Sequence, residues 1–96
     1  MVRLIFHPEA KAEMRESAAF YEQEQAGLGT KFLAEVRDSL DKLREFPSRY
    51  PLIAPDFRCC RVSRFPYGVI YRKDPEEIFI IAVMHYRRKP GYWQNR

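Results

Sequence analysis

Residues 78–93 read Ile-Phe-Ile-Ile-Ala-Val-Met-His-Tyr-Arg-Arg-Lys-Pro-Gly-Tyr-Trp. The first part, Ile78 to Met84, is an unbroken apolar run rich in β-branched residues. A run this short, lying between turn signals, predicts a buried strand, since a helix would normally need about ten residues or more. Apolar side chains on both faces place that strand inside a sheet, covered on each side. The chemistry then changes at His85, and Tyr86, Arg87, Arg88, Lys89, Pro90, Gly91, Tyr92 and Trp93 follow. A rigid strand therefore ends in imidazole, phenol, guanidinium and indole groups, and Pro90-Gly91 bends the chain away. This is a means of holding polar groups at a defined place on a surface.

Upstream of that strand, Phe57 to Ser63 alternates, with Arg58, Cys60 and Val62 on one side and Cys59, Arg61 and Ser63 on the other. Arginine on both faces implies that one face is partly open. Phe65-Pro66-Tyr67-Gly68 is turn chemistry, Val69 to Arg72 the next strand, and Asp74-Pro75-Glu76-Glu77 a second turn. Ser48 to Asp56, with Pro51 and Pro55, reads as an irregular connection. At the start, Val2 to Phe6 is a short strand, and His7-Pro8-Glu9 opens a helix running to about Gln25. Ala10, Met14, Ala18 and Tyr21 form its apolar stripe. Gly27-Leu28-Gly29 is a tight connection, and Thr30 caps a second helix with Phe32, Val36, Leu40 and Leu43 on one face. Glu22 and Glu24 read as solvated helix-face charges. The expected fold is α+β: a two-layer β-α-α-β-β-β domain over residues 1–96, with an antiparallel helical hairpin and a three-strand antiparallel meander in one sheet.

With 96 residues the chain is of single-domain size. Residues 1–50 hold eight Lys/Arg against nine Asp/Glu, giving −1, while residues 51–96 hold nine against four, giving +5. No acidic residue falls between Phe57 and Lys73 or after Glu77. The second half therefore presents a positive surface suited to an anionic partner, nucleic acid or an acidic protein segment. Adjacent Cys59 and Cys60 give neither a disulfide framework nor a metal-ligand spacing, so they are expected to be reduced thiols. No signal-peptide or membrane-span pattern is read, which points to a cytoplasmic location without membrane contact. No cofactor or metal is expected: Gly-rich phosphate loops, H-E-x-x-H, C-x-x-C and G-x-S-x-G are all missing, and His7 and His85 lie far apart.

The strand end also has parts for metal-independent RNA cleavage. His85 would be base or acid, Arg61, Arg87 or Arg88 would clamp the phosphate, and Tyr92 or Trp93 would stack on a base. The alternative is structural, with His85 bonded to backbone and Trp93 sealing the sheet.

The element order, the link around Gly27-Leu28-Gly29, Arg64-Phe65-Pro66-Tyr67 with Tyr71, and the stretch from Ala82 to Trp93 together resemble the RelE/ParE superfamily over essentially the whole chain. Those proteins are toxins of bacterial type II toxin–antitoxin pairs, associated with plasmid stabilisation. The resemblance implies growth inhibition, and neutralisation by a cognate antitoxin in a hetero-oligomer. Met14, Tyr21, Val36, Leu40 and Arg61 are the candidate antitoxin contacts. It also implies one of two targets. A ParE-like toxin inhibits DNA gyrase without being an enzyme, and the candidate target contacts are Arg58, Arg61, Arg64, Arg72, Arg87, Arg88 and Trp93. A RelE-like toxin is a ribosome-dependent mRNA endoribonuclease, for which the candidates are His85, Arg61, Arg87, Arg88 and Tyr92. The long hairpin, the short tail and arginines where the RelE pattern favours lysines lean toward the ParE-like branch.

Overall fold

A computed structural model describes residues 2–96. Its elements run β1 (Arg3–Phe6), α1 (Pro8–Glu24), α2 (Leu28–Glu45), β2 (Leu52–Ala54), β3 (Phe57–Arg61), β4 (Tyr67–Lys73) and β5 (Glu77–His85). The strands form one sheet in the order β1-β5-β4-β3-β2, antiparallel throughout except for the parallel β1–β5 pair. The α+β layout is the expected one. The apolar run sits between β1 and β4, and the turn residues Tyr67, Gly68 and Glu77 prove to be the first residues of their strands.

The helix pair covers one face of the sheet. Ala10 and Ala18 of α1 and Phe32, Val36 and Leu43 of α2 are buried against Val69, Tyr71, Ile78, Ile80 and Val83. The other face is closed by the C-terminal tail, where Trp93 is buried with Ile70, Ile81 and Ala82 and its ring lies 4.9 Å from that of Phe57. A bulge serves both layers. Ile70 pairs with Ala82 and Tyr71 with Ile80, so Ile81 is the extra residue, and Ile81 and Ala82 both join the tail-side cluster.

Three local readings are corrected. Ser48 to Asp56 is not wholly irregular, because Leu52–Ala54 pairs with β3 as an edge strand, and the meander therefore has four strands. Thr30 does not cap α2, which begins at Leu28 after Gly27 in the left-handed region at φ +88°. The orphan amides there are served by Glu22, whose carboxylate accepts from Gly27 N at 2.8 Å and Gly29 N at 3.0 Å. Glu22 is thus a helix-linking acceptor rather than only a solvated charge.

Beyond Ile80, β5 has no strand on its outer side, since β1 pairs only as far as Phe6 with Ile80. The exposed edge is closed by side chains. Glu13 of α1 accepts from Val83 N at 3.0 Å, and Arg96 donates to the Ile81 carbonyl at 3.1 Å. The same Glu13 carboxylate receives both Arg96 terminal nitrogens at 2.9 Å and the Tyr92 hydroxyl at 2.6 Å. One carboxylate therefore joins the first helix, the central strand and the tail, and blunts an open edge as it does so.

Candidate functional site

Two surfaces follow from this layout. The first is an apolar groove of about 590 Å³ between the end of β1 and the helix pair, lined by Phe6, Met14, Leu33, Ala34 and Leu40, with Thr30 and Arg37 also lining it. Leu33 is 41% exposed, a large apolar side chain left without cover on α2. Met14 and Leu40, two of the candidate antitoxin contacts, both line it. Val36, by contrast, is wholly buried under α2, and Tyr21 belongs to an aromatic cluster with Phe32, Phe65 and Tyr67. Leu33 and Phe6 escape the stripe-based reading. For Leu33 the signal is Leu33, Arg37 and Leu40 at i, i+4 and i+7, a second helix face beside the core stripe.

The second surface carries the arginines, and the sheet distributes them. Arg58 turns to the α2–β2 connection and donates to the carbonyls of Ser48 at 3.2 Å and Tyr50 at 2.6 Å. Arg61 lies 5.9 Å from the Tyr86 ring and Arg72 5.1 Å from the Phe79 ring. Arg64, in the β3–β4 turn, makes one long contact of 3.8 Å to Glu35. Arg88 stacks 4.0 Å over Tyr92 and approaches Glu13 at 3.8 Å. Arg87 is exposed and, among the described residues, forms no ion pair. Trp93 is 3% exposed and presents no surface.

Of the residues considered for RNA cleavage, Arg88 stacks on Tyr92, the Arg87 backbone meets His85, and Arg61 contacts Tyr86. His85 Nδ1 accepts the Arg87 backbone N–H at 3.0 Å, and its ring meets Tyr67 edge-on at 5.0 Å. A bare Nδ1 puts the proton of the neutral ring on Nε2. Tyr67 belongs to the helix-side core and donates its hydroxyl to Ser17 Oγ at 2.9 Å. Arg61 sits beside Tyr86, while Tyr92 is held at the β5 edge with its hydroxyl on Glu13. Burial, then the Glu13 hydrogen bond, raise the Tyr92 phenol above its ordinary value and make it a weak acid. No three His, Cys, Asp or Glu side chains assemble for a metal among the described residues, and no described helix is long and apolar enough to cross a membrane.

Comparison with known proteins adds a family. The description "ParE toxin of type II toxin-antitoxin system, parDE" matches residues 4–90. A solved structure described as the chromosomal ParDE TA system from P. aeruginosa has a TM-score of 0.66 at 20% identity, covering 88% of this chain and 96% of that one. At that identity the likeness concerns the fold. No curated protein matches the chain.

Proposed function

The chain belongs to the ParE toxin family of type II toxin–antitoxin systems, and from that premise we propose that it inhibits DNA gyrase and is silenced by an antitoxin segment docked in the helix-side groove. It is the toxin half of such a pair, with a cognate antitoxin as partner. The choice of gyrase over mRNA cleavage rests on the family match together with one observation. Tyr92, which a nuclease reading would use beside His85 and Arg61, is committed through its hydroxyl to Glu13. A non-catalytic toxin needs no such convergence of groups, only a rigid basic surface to oppose its target.

For the antitoxin, the groove lined by Phe6, Met14, Leu33 and Leu40 takes the apolar face of an amphipathic segment. Arg37 in the same groove favours acidic residues on that segment. Supercoiling by purified gyrase, followed as toxin is added, tests the target. The expected result is lost supercoiling with accumulated cleaved DNA, both reversed by antitoxin. Unchanged supercoiling at saturating folded toxin overturns the gyrase reading. Leu33→Asp tests the docking site separately, and it should weaken antitoxin binding while leaving gyrase inhibition intact.

A further inference from the structure

One face of α1 serves neither the helix-side core nor the groove. Glu9, Glu13, Glu16, Phe20 and Glu24 recur at i, i+4, i+7, i+11 and i+15, which lines them up along one side of the helix. The first part of this stripe is covered from within the chain. Glu13 holds Arg96, and Arg88 approaches it at 3.8 Å, so the basic segment after β5 lies alongside the helix. Beyond Glu13 the stripe is bare. Glu16 and Glu24 are exposed and form no ion pair among the described residues. Phe20 is 57% exposed, with its ring edge-on to Tyr21 at 5.5 Å.

Two features of this bare half disfavour the isolated chain. A phenylalanine left in water forgoes the gain of burial. Glu24 ends α1 where the helix dipole is negative, and the last turn has no basic residue to offset it. Glu22 in the same turn serves the amides of Gly27 and Gly29, whereas no hydrogen bond or ion pair of this kind engages Glu24 among the described residues. Departures from local preference that the fold does not use point to a surface kept for a partner.

The complementary chemistry stands next to it. Arg87 and Lys89 flank Arg88, are exposed, and form no ion pair among the described residues. The acidic stripe and the basic segment adjoin at Glu13, so one molecule carries both halves of a contact side by side. We propose that this face pairs two copies of the chain about a two-fold axis. Glu16 and Glu24 of each copy oppose Arg87 and Lys89 of the other, and each Phe20 ring is covered between them. An unrelated basic protein would satisfy the stripe and leave Arg87 and Lys89 unpaired, whereas a second copy answers both at once. The contact is charge-led, with one apolar anchor per copy, and so belongs to the weak, salt-sensitive class. It rests on neither the gyrase reading nor the antitoxin groove, to which α1 contributes Met14 from another face.

Sedimentation equilibrium of the purified full chain up to about 200 μM, at low and high salt, tests the pairing. A monomer–dimer equilibrium is expected, weakened by salt because exposed charges are screened. Phe20→Ser should weaken it about tenfold. Glu16→Lys with Glu24→Lys sets like charges across the axis, as does Arg87→Glu with Lys89→Glu, and each double variant alone should be monomeric. Mixed in equal amounts the two should form a heterodimer, since every reversed charge then meets its opposite. Circular dichroism of each variant keeps lost pairing distinct from lost folding. An unaltered chain that stays monomeric at both salts overturns the proposal, as does a mixture of folded double variants that stays monomeric. A dimer that survives the charge reversals belongs to another surface and overturns it too. Leu33→Asp should leave the dimer intact, and a dimer lost with that change would place the contact in the groove instead.

Discussion

Glu13 shows how much a single side chain organises. Its carboxylate is 12% exposed and faces Arg96 at 14%, with Val83 N–H and Tyr92 O–H as further donors. Removing one partner of a buried pair leaves the other charge unpaired, typically costing several kcal/mol. Glu13→Ala should therefore lower stability by about 3 kcal/mol in urea unfolding, and Glu13→Gln by less because an acceptor for Val83 remains. A loss below about 0.5 kcal/mol, the scale of ordinary surface changes, would show that the clasp adds nothing. Chemistry at Cys59 follows from burial in a similar way. Burial first, and then neighbouring Cys60, push its thiol up to about 11. Because the thiolate is the nucleophile, two units suppress it by about a hundredfold. Iodoacetamide at mildly alkaline pH should thus modify native Cys59 about a hundredfold more slowly than a free thiol, and alkylation at the free-thiol rate would contradict the burial.

Among the elements, those written in local pattern were legible. The run from Ile78 to Met84 announced β5, and the stripes Ala10-Met14-Ala18-Tyr21 and Phe32-Val36-Leu40-Leu43 announced the hairpin, because burial on one face imposes a period that the sequence displays. β2 was not legible. Three residues flanked by Pro51 and Pro55 carry no period, and their strand character comes from pairing with Arg58 and Phe57. Met14 and Leu40 of the candidate groove were readable for the same reason, since they lie on apolar helix faces, whereas Phe6 joins them only through the fold. The hairpin link was read with the wrong cap, Thr30 for Glu22, because a carboxylate reaching forward to Gly27 and Gly29 leaves no fixed sequence signature. Loss of a capping acceptor costs about 1 kcal/mol. Glu22→Ala should lower stability by that amount, whereas Thr30→Ala should change it by less than about 0.5 kcal/mol. Thermal unfolding of the two variants distinguishes the assignments, and the reverse order of effects would restore Thr30 as the cap.

Across the whole molecule five tyrosines share one electrostatic bias, and it predicts where the fold fails. Tyr21, Tyr50, Tyr71, Tyr86 and Tyr92 are all raised above the ordinary phenol value, with burial the leading cause in each. Tyr71, fully buried and donating to the Pro47 carbonyl at 2.6 Å, is pushed up to about 12. A phenol with a raised folded value keeps its proton in the native state after the unfolded chain has lost it. Its contribution is therefore complete below the unfolded value near 10 and is lost as pH climbs from there toward about 12. For Tyr71 alone that window is worth up to about 3 kcal/mol, and the other four act in the same direction. Stability from urea unfolding should accordingly be flat through neutral pH and fall steeply above about pH 10, where unfolded tyrosine ionises. Tyr71→Phe separates titration from packing. It loses the bond to Pro47 and should be less stable at neutral pH, yet its alkaline decline should be shallower because one titrating group is gone. An alkaline slope unchanged by Tyr71→Phe would show that this phenol does not carry the loss, and that the decline belongs to the four less buried rings.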